Sequence, residues 1–367
     1  MIRNFVKRNW VYIVLVSGII LVNVAGRAPK EEVLPTSTKE VAAAEKPTLF
    51  VEFEEAQERS RKIEEALKGN APLYLFYISA NLFIIAIFLL GLLIDGFFIS
   101  RRFKKIDIFA RFVKPDPPPW TLADSAKIVI LGFSLAYFFF ILLALAGSAM
   151  SFFFKVKFTL MKNDNFRMIF DTIVLDFFVL TAVLAFLWRV HRKKIVSLGL
   201  GAKNALKNVF YGACGYLAIL PVILLVGVIA YIVLNMLKLK PPPQPIVELF
   251  LVEKNIAFIF VASLIASIFG PVIEEIFFRG VLYNALKRKV GIFGGIMITS
   301  VLFSFLHTHA MTYFLVGFIP ITILGVVLAY LYERTGSLVP SITLHVLNNL
   351  GGVIMVFLFK YFNSLAV

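Results

Sequence analysis

Stretches of about 20 apolar residues recur along this chain, and that is the length a helix needs to cross the hydrocarbon of a bilayer. In lipid the backbone must satisfy its own N–H and C=O groups, so a spanning segment is a helix or part of a closed barrel. The apolar stretches show no barrel-type alternation, which leaves helices. The expected fold is an all-α polytopic membrane protein with about eight or nine transmembrane helices. Composition agrees: 60% of the 367 residues are hydrophobic and 16% charged, with a mean hydropathy of +0.88. A soluble domain of this size needs far more polar surface.

Arg3, Lys7 and Arg8 precede an apolar stretch from Trp10 to Ala25, so residues 1–26 read as a signal anchor or signal peptide. Residues 27–72 are the polar exception. Their first half, rich in Pro, Thr, Ala and Lys, reads as a linker, and residues 52–68 read as a solvated helix with Glu at helical spacing. Apolar spans then run at 73–99, 126–154, 168–188, 209–236, 291–307, 312–332 and 338–361. A longer one at 255–286 is interrupted by Gly270 and Pro271. Residues 73–200 read as an accessory transmembrane region and 205–361 as the functional domain. No internal repeat is visible, which disfavours an inverted-repeat transporter.

The formal charge of +15 could suggest nucleic acid, but the basic residues sit in short clusters between apolar spans instead of on one face. Arg101, Arg102, Lys104, Lys105, Arg111 and Lys114 follow one span, Arg189, Arg192, Lys193 and Lys194 another, and Lys287, Arg288 and Lys289 a third. With the amino terminus inside, all of them fall on the cytoplasmic side, as the positive-inside rule requires. The expected location is a bacterial cytoplasmic membrane, with segment 27–72 outside it. The single cysteine, Cys214, excludes an intrachain disulfide and a cysteine metal cluster.

Chemistry enters in the last third. In Pro271-Val-Ile-Glu274-Glu275-Ile-Phe-Phe-Arg279-Gly280, three charges interrupt an apolar helix. Each costs on the order of 3 kcal/mol at membrane depth, so such residues come with a partner or a task. Glu275 and Arg279 are four apart and share a face, where they form a salt bridge. Glu274 points about 100° away and lacks that partner, which makes it the candidate general base or acid. His307 ends the next span in Phe303-Ser-Phe-Leu-His307. His345 and Asn349, four apart in the last span, can both donate to one oxygen. Of the other histidines, His191 reads as a solvated linker residue and His309 as a surface residue at a tip.

The series Glu274-Glu275-xxx-Arg279, Phe303-xxx-His307 and His345-xxx-Asn349 resembles the motifs of the CPBP family, which comprises the CAAX prenyl endopeptidases and the bacteriocin-processing or self-immunity proteins. Each motif is weak alone, but the three in order on consecutive membrane helices are specific. The resemblance covers about residues 260–355 and more loosely reaches back to 205; the first 200 residues lie outside it. It implies a CAAX-protease-like helical bundle in the C-terminal half and hydrolysis of peptide bonds in membrane-associated peptides or proteins. Glu274 and His307 would hold and deprotonate the attacking water, and His345 and Asn349 would stabilise the oxyanion. Glu275 and Arg279 would orient the first helix or assist the water.

A metal-free glutamate mechanism is favoured because Asn349 beside His345 suits an oxyanion pair. In the zinc-dependent version of the same peptidase, Glu274, His307 and His345 would be the ligands. Two further readings are a catalytically silent immunity or scaffold protein and a proton-coupled transporter whose buried Glu and His relay protons. The expected partners are membrane lipid and a peptide or protein substrate, with no nucleic acid. One geometric obstacle is visible. Measured along straight helices, Glu274 lies roughly 20 Å from Lys287 and His307 roughly 27 Å from Lys289, while His345 lies only about 10 Å past Ser337.

Overall fold

The computed structural model describes residues 9–19, 48–104, 119–155, 163–201, 204–239, 244–308 and 314–365. The basic residues before Trp10, most of the linker after residue 26, and His309 lie outside the described residues. The described residues are helical, with no strand among them. Seven of their helices are long and apolar enough to cross a membrane, and α1 (Asn9–Ile19) is a shorter apolar helix. The protein is a multi-pass, all-α membrane protein. Large apolar side chains such as Leu93 and Phe152 are exposed on these helices, as lipid-facing positions are.

The chain divides into two compact units. One comprises residues 1–46 and 121–192. Here α4 (Leu122–Phe154) starts with a reciprocal cap between Thr121 and Asp124 and lies against α5 (Asp164–Ala185). Gly132 allows this approach, since a Cβ there would come within 3.0 Å of Val179. His191, expected to be solvated, is instead enclosed, its Nε2 3.5 Å from Asp124 Oδ2 with a side chain 8% exposed.

The second unit, residues 47–120 and 193–367, holds every candidate site residue. Its α2 (Thr48–Lys68) is the solvated helix, laced by exposed i,i+4 pairs such as Arg61–Glu65 and Glu64–Lys68. The membrane helices α3 (Ala71–Phe103) and α6 (Ala205–Met236) meet at Gly91, where a Cβ would stand 2.3 Å from the Leu217 carbonyl. That carbonyl is the one deprived of its helical donor by Pro221. Helix α6 also packs on α12 (Leu338–Ser364), where a Cβ on Gly212 would lie 2.5 Å from the Pro340 carbonyl. Ile219, Leu324, Leu328, Leu331 and Leu344 form the apolar centre between α6, α11 (Ile319–Thr335) and α12. The short α7 (Pro245–Val252) is clamped by Lys360, whose Nζ donates to the Phe250 and Glu253 carbonyls at 3.0 and 2.8 Å.

The sequence suggested a helix interrupted at Gly270-Pro271, but helical backbone runs through both. It continues through α8 (Ile256–Leu264), a π-helical stretch at Ile265–Phe269, α9 (Gly270–Glu275), a second π stretch at Ile276–Tyr283, and α10 (Asn284–Leu306). The break falls at Gly291 (φ 76, ψ 177), inside α10. That left-handed value is open to glycine and strained for other residues. The 51-residue helical run Ile256–Leu306 thus contains both of the spans expected at 255–286 and 291–307.

Candidate active site

Proline shapes the local backbone that carries the two glutamates. Pro271 has no N–H, and in a regular α-turn its ring would press on the carbonyl four residues earlier. A π turn, one residue wider, removes that conflict, and the chain makes one at Ile265–Phe269. There the Gly270 N–H bonds the Ile265 carbonyl. The second π stretch leaves carbonyls that Asn284 collects: its Nδ2 donates to Arg279 O and Gly280 O, both at 3.0 Å, and stands 2.8 Å from Tyr332 Oη. Glu274 and Glu275 therefore sit on a single α-turn between two wide ones.

Glu275 and Arg279 form the expected pair, 2.7 Å apart, and both are fully buried. Arg279 Nη2 also donates to the Gly325 carbonyl at 3.2 Å, and its guanidinium lies 4.8 Å over the Phe303 ring. Glu275 Oε1 additionally accepts from His345 Nδ1 at 3.0 Å, a contact between α9 and α12.

Glu274 does not face lipid. Its Oε1 lies 3.7 Å from His307 Nε2, and its Oε2 lies 3.7 Å from His345 Nε2. The carboxylate stands between two imidazoles and stays 29% exposed, whereas Glu275 beside it is wholly enclosed. Glu274, His307 and His345 thus meet at one point despite the unequal distances expected along straight helices.

The tautomers follow from the partners. His307 Nδ1 lies 2.8 Å from the Phe303 carbonyl, which can only accept, so Nδ1 carries the hydrogen. His345 Nδ1 donates to the Glu275 carboxylate, which is paired with Arg279. In the neutral form both Nε2 atoms would then present lone pairs towards Glu274, which also has only lone pairs. A proton, a water or a cation between them is required for this arrangement to be attractive. The charges agree, because Glu274, Glu275 and Arg279 sum to one negative charge, and one further proton neutralises the group in apolar surroundings.

Asn349 is four residues from His345 and on the same helix, but it serves a different acceptor. Its Nδ2 donates to the Ala266 carbonyl at 2.9 Å, while its Oδ1 accepts from Asn348 at 3.3 Å. Two other participants had no assigned role. Phe303 touches Arg279, His307 (ring centroids 4.4 Å) and His345 (5.6 Å), and Asn284 holds the second π stretch. The i,i+4 spacing of Phe303 and His307 was a readable signal for the first. Nothing in the sequence marks the second.

Residues 256–351 match the family described as Type II CAAX prenyl endopeptidase, Rce1-like. A stretch of 95 residues is 35% identical to the "Putative membrane peptidase YdiL" of Bacillus subtilis (strain 168). That similarity spans 25% of this chain and 36% of the relative, so the chain covers about a third of the relative's length. No solved structure matches. The family match spans Glu274, Glu275, Arg279, His307, His345 and Asn349.

Proposed function

We propose that the Rce1-like segment 256–351 is the catalytic part of an intramembrane endopeptidase that hydrolyses peptide bonds of membrane-associated peptides or proteins. The observation that carries this reading is the Glu274 carboxylate, 3.7 Å from the Nε2 atoms of both His307 and His345. A water bound by Glu274 and His307 gives its proton to the pair as its oxygen attacks the peptide carbonyl carbon. The C–N bond breaks, and the proton passes to the leaving nitrogen. His345, fixed through Nδ1 by Glu275, offers its Nε2 side to the oxyanion when it holds the shared proton. Arg279 pairs with Glu275 and holds it in place. The proposed location is a bacterial cytoplasmic membrane with the amino terminus in the cytoplasm, a reading supported by the basic clusters between the spans.

A zinc-dependent version of the same peptidase is the second reading. Both imidazoles have Nδ1 bonded to an acceptor and Nε2 turned inward, which is how zinc-bound histidines are supported. Glu274, His307 and His345 would hold the metal, and zinc would polarise the water. Against this, tetrahedral ligands at zinc distances lie about 3.3 Å apart. The 3.7 Å separations here are wider. We favour the water held by carboxylate and imidazole.

The test is cleavage of a quenched, membrane-anchored peptide library by purified protein and by Glu274→Ala, each with and without a zinc chelator. Loss in the variant alone supports the favoured mechanism, and loss on chelation replaces it with zinc. A folded wild type that cleaves nothing leaves the silent scaffold reading.

A further inference from the structure

The Ala266 carbonyl lies in the π stretch, about two turns before Glu274. The Gly270 N–H is taken by Ile265 O. In a continuing π turn the next donor would be the N–H of residue 271, which is proline. Asn349, on a helix 83 residues away in sequence, donates to this carbonyl at 2.9 Å. We infer that Asn349 is a positioning residue: it replaces the hydrogen bond that Pro271 removes, and so fixes the turn that aims Glu274 at His307 and His345. The inference rests on the peptidase reading for its effect on catalysis, but the structural bond stands without it.

Several observations converge on this role. The acceptor is a backbone carbonyl left over for an identifiable reason, and buried carbonyls without a donor are costly. Gly270, the residue after the wide turn, lies next to the glutamate: a Cβ there would be 3.9 Å from Glu274 Oε1. A shift of the 265–270 backbone therefore moves the carboxylate directly. Asn349 is also one turn beyond His345 on α12, so one helix face both orients an imidazole towards Glu274 and anchors the backbone beneath it.

The prediction is a rescue. Position 271 regains an N–H in Pro271→Ala, which can take over the Ala266 carbonyl. In detergent-purified full-length protein, Asn349→Ala is expected to lower the thermal midpoint and to reduce kcat by about tenfold with KM little changed. Pro271→Ala alters stability by itself, so the decisive quantity is the coupling between the two sites. Alanine at 271 should raise the midpoint more in the Asn349→Ala background than in wild type, and the double variant should regain most of the lost kcat.

If the double variant recovers its midpoint while kcat stays as low as in Asn349→Ala, Asn349 acts on the reacting atoms and the positioning role is wrong. Absence of coupling in the midpoints also overturns it. Should Asn349→Ala not accumulate as folded protein, recovery of folded protein in the double variant is the supporting result, and its absence from both is the opposing one. A wild type that cleaves nothing overturns the peptidase reading alone, because the midpoints still decide whether Asn349 replaces the missing bond.

Discussion

His345 Nδ1 lies 3.0 Å from Glu275 Oε1, while Nε2 of the same ring lies 3.7 Å from Glu274 Oε2. One imidazole thus stands between two adjacent carboxylates of different character, one buried and paired with Arg279, the other accessible.

The two glutamates should separate cleanly by mutation. Glu274→Gln keeps the shape but cannot accept a proton, so cleavage should fall by about two to four orders of magnitude with the thermal midpoint near wild type. Glu275→Gln leaves the fully buried Arg279 without its carboxylate, and should cost about 3–5 kcal/mol of stability, read as a lowered midpoint. Equal midpoints in the two variants would contradict the division of roles.

Phe303→Leu retains apolar volume but removes the ring beneath Arg279 and beside both imidazoles. A desolvated cation–π contact contributes about 2 kcal/mol, so the midpoint should drop accordingly. Turnover should fall by about tenfold as the imidazoles lose their orientation, measured as kcat on the peptide library.

Asn284→Ala frees two carbonyls of the second π stretch and the Tyr332 hydroxyl contact. The expected loss is about 1–3 kcal/mol, followed by thermal unfolding. Hydrogen exchange should rise at 276–284 before it rises in α6.

Gly212→Ala tests the packing of α6 on α12. Its Cβ would lie 2.5 Å from the Pro340 carbonyl, so the helices must separate, at a cost of about 1–3 kcal/mol. Because α12 carries His345, cleavage should decline along with the midpoint.

The sequence was informative where the controlling free energy is local. Hydropathy alone specified a lipid solvent and helical spans, because an apolar run of about 20 residues has few other ways to satisfy its backbone. The i,i+4 rule gave the Glu275–Arg279 pair, which needs only one helix. The same rule placed His345 and Asn349 on one face, and without substrate they bond acceptors on different turns of the α8–α9 run. His191 was not legible in this way, since a basic linker gives no hint that a ring is enclosed against Asp124.

The sequence by itself determined the membrane, the helices and the set of charged and imidazole side chains, because composition and short-range spacing fix transfer and helix energies. Only the tertiary structure decided that Glu274 stands between two histidines, that the helix stays continuous at Pro271 and turns at Gly291, and that Asn349 bonds the carbonyl the proline leaves without a donor. Those outcomes depend on contacts between residues 70 and 83 positions apart, and on π turns whose stability comes from side chains of other helices.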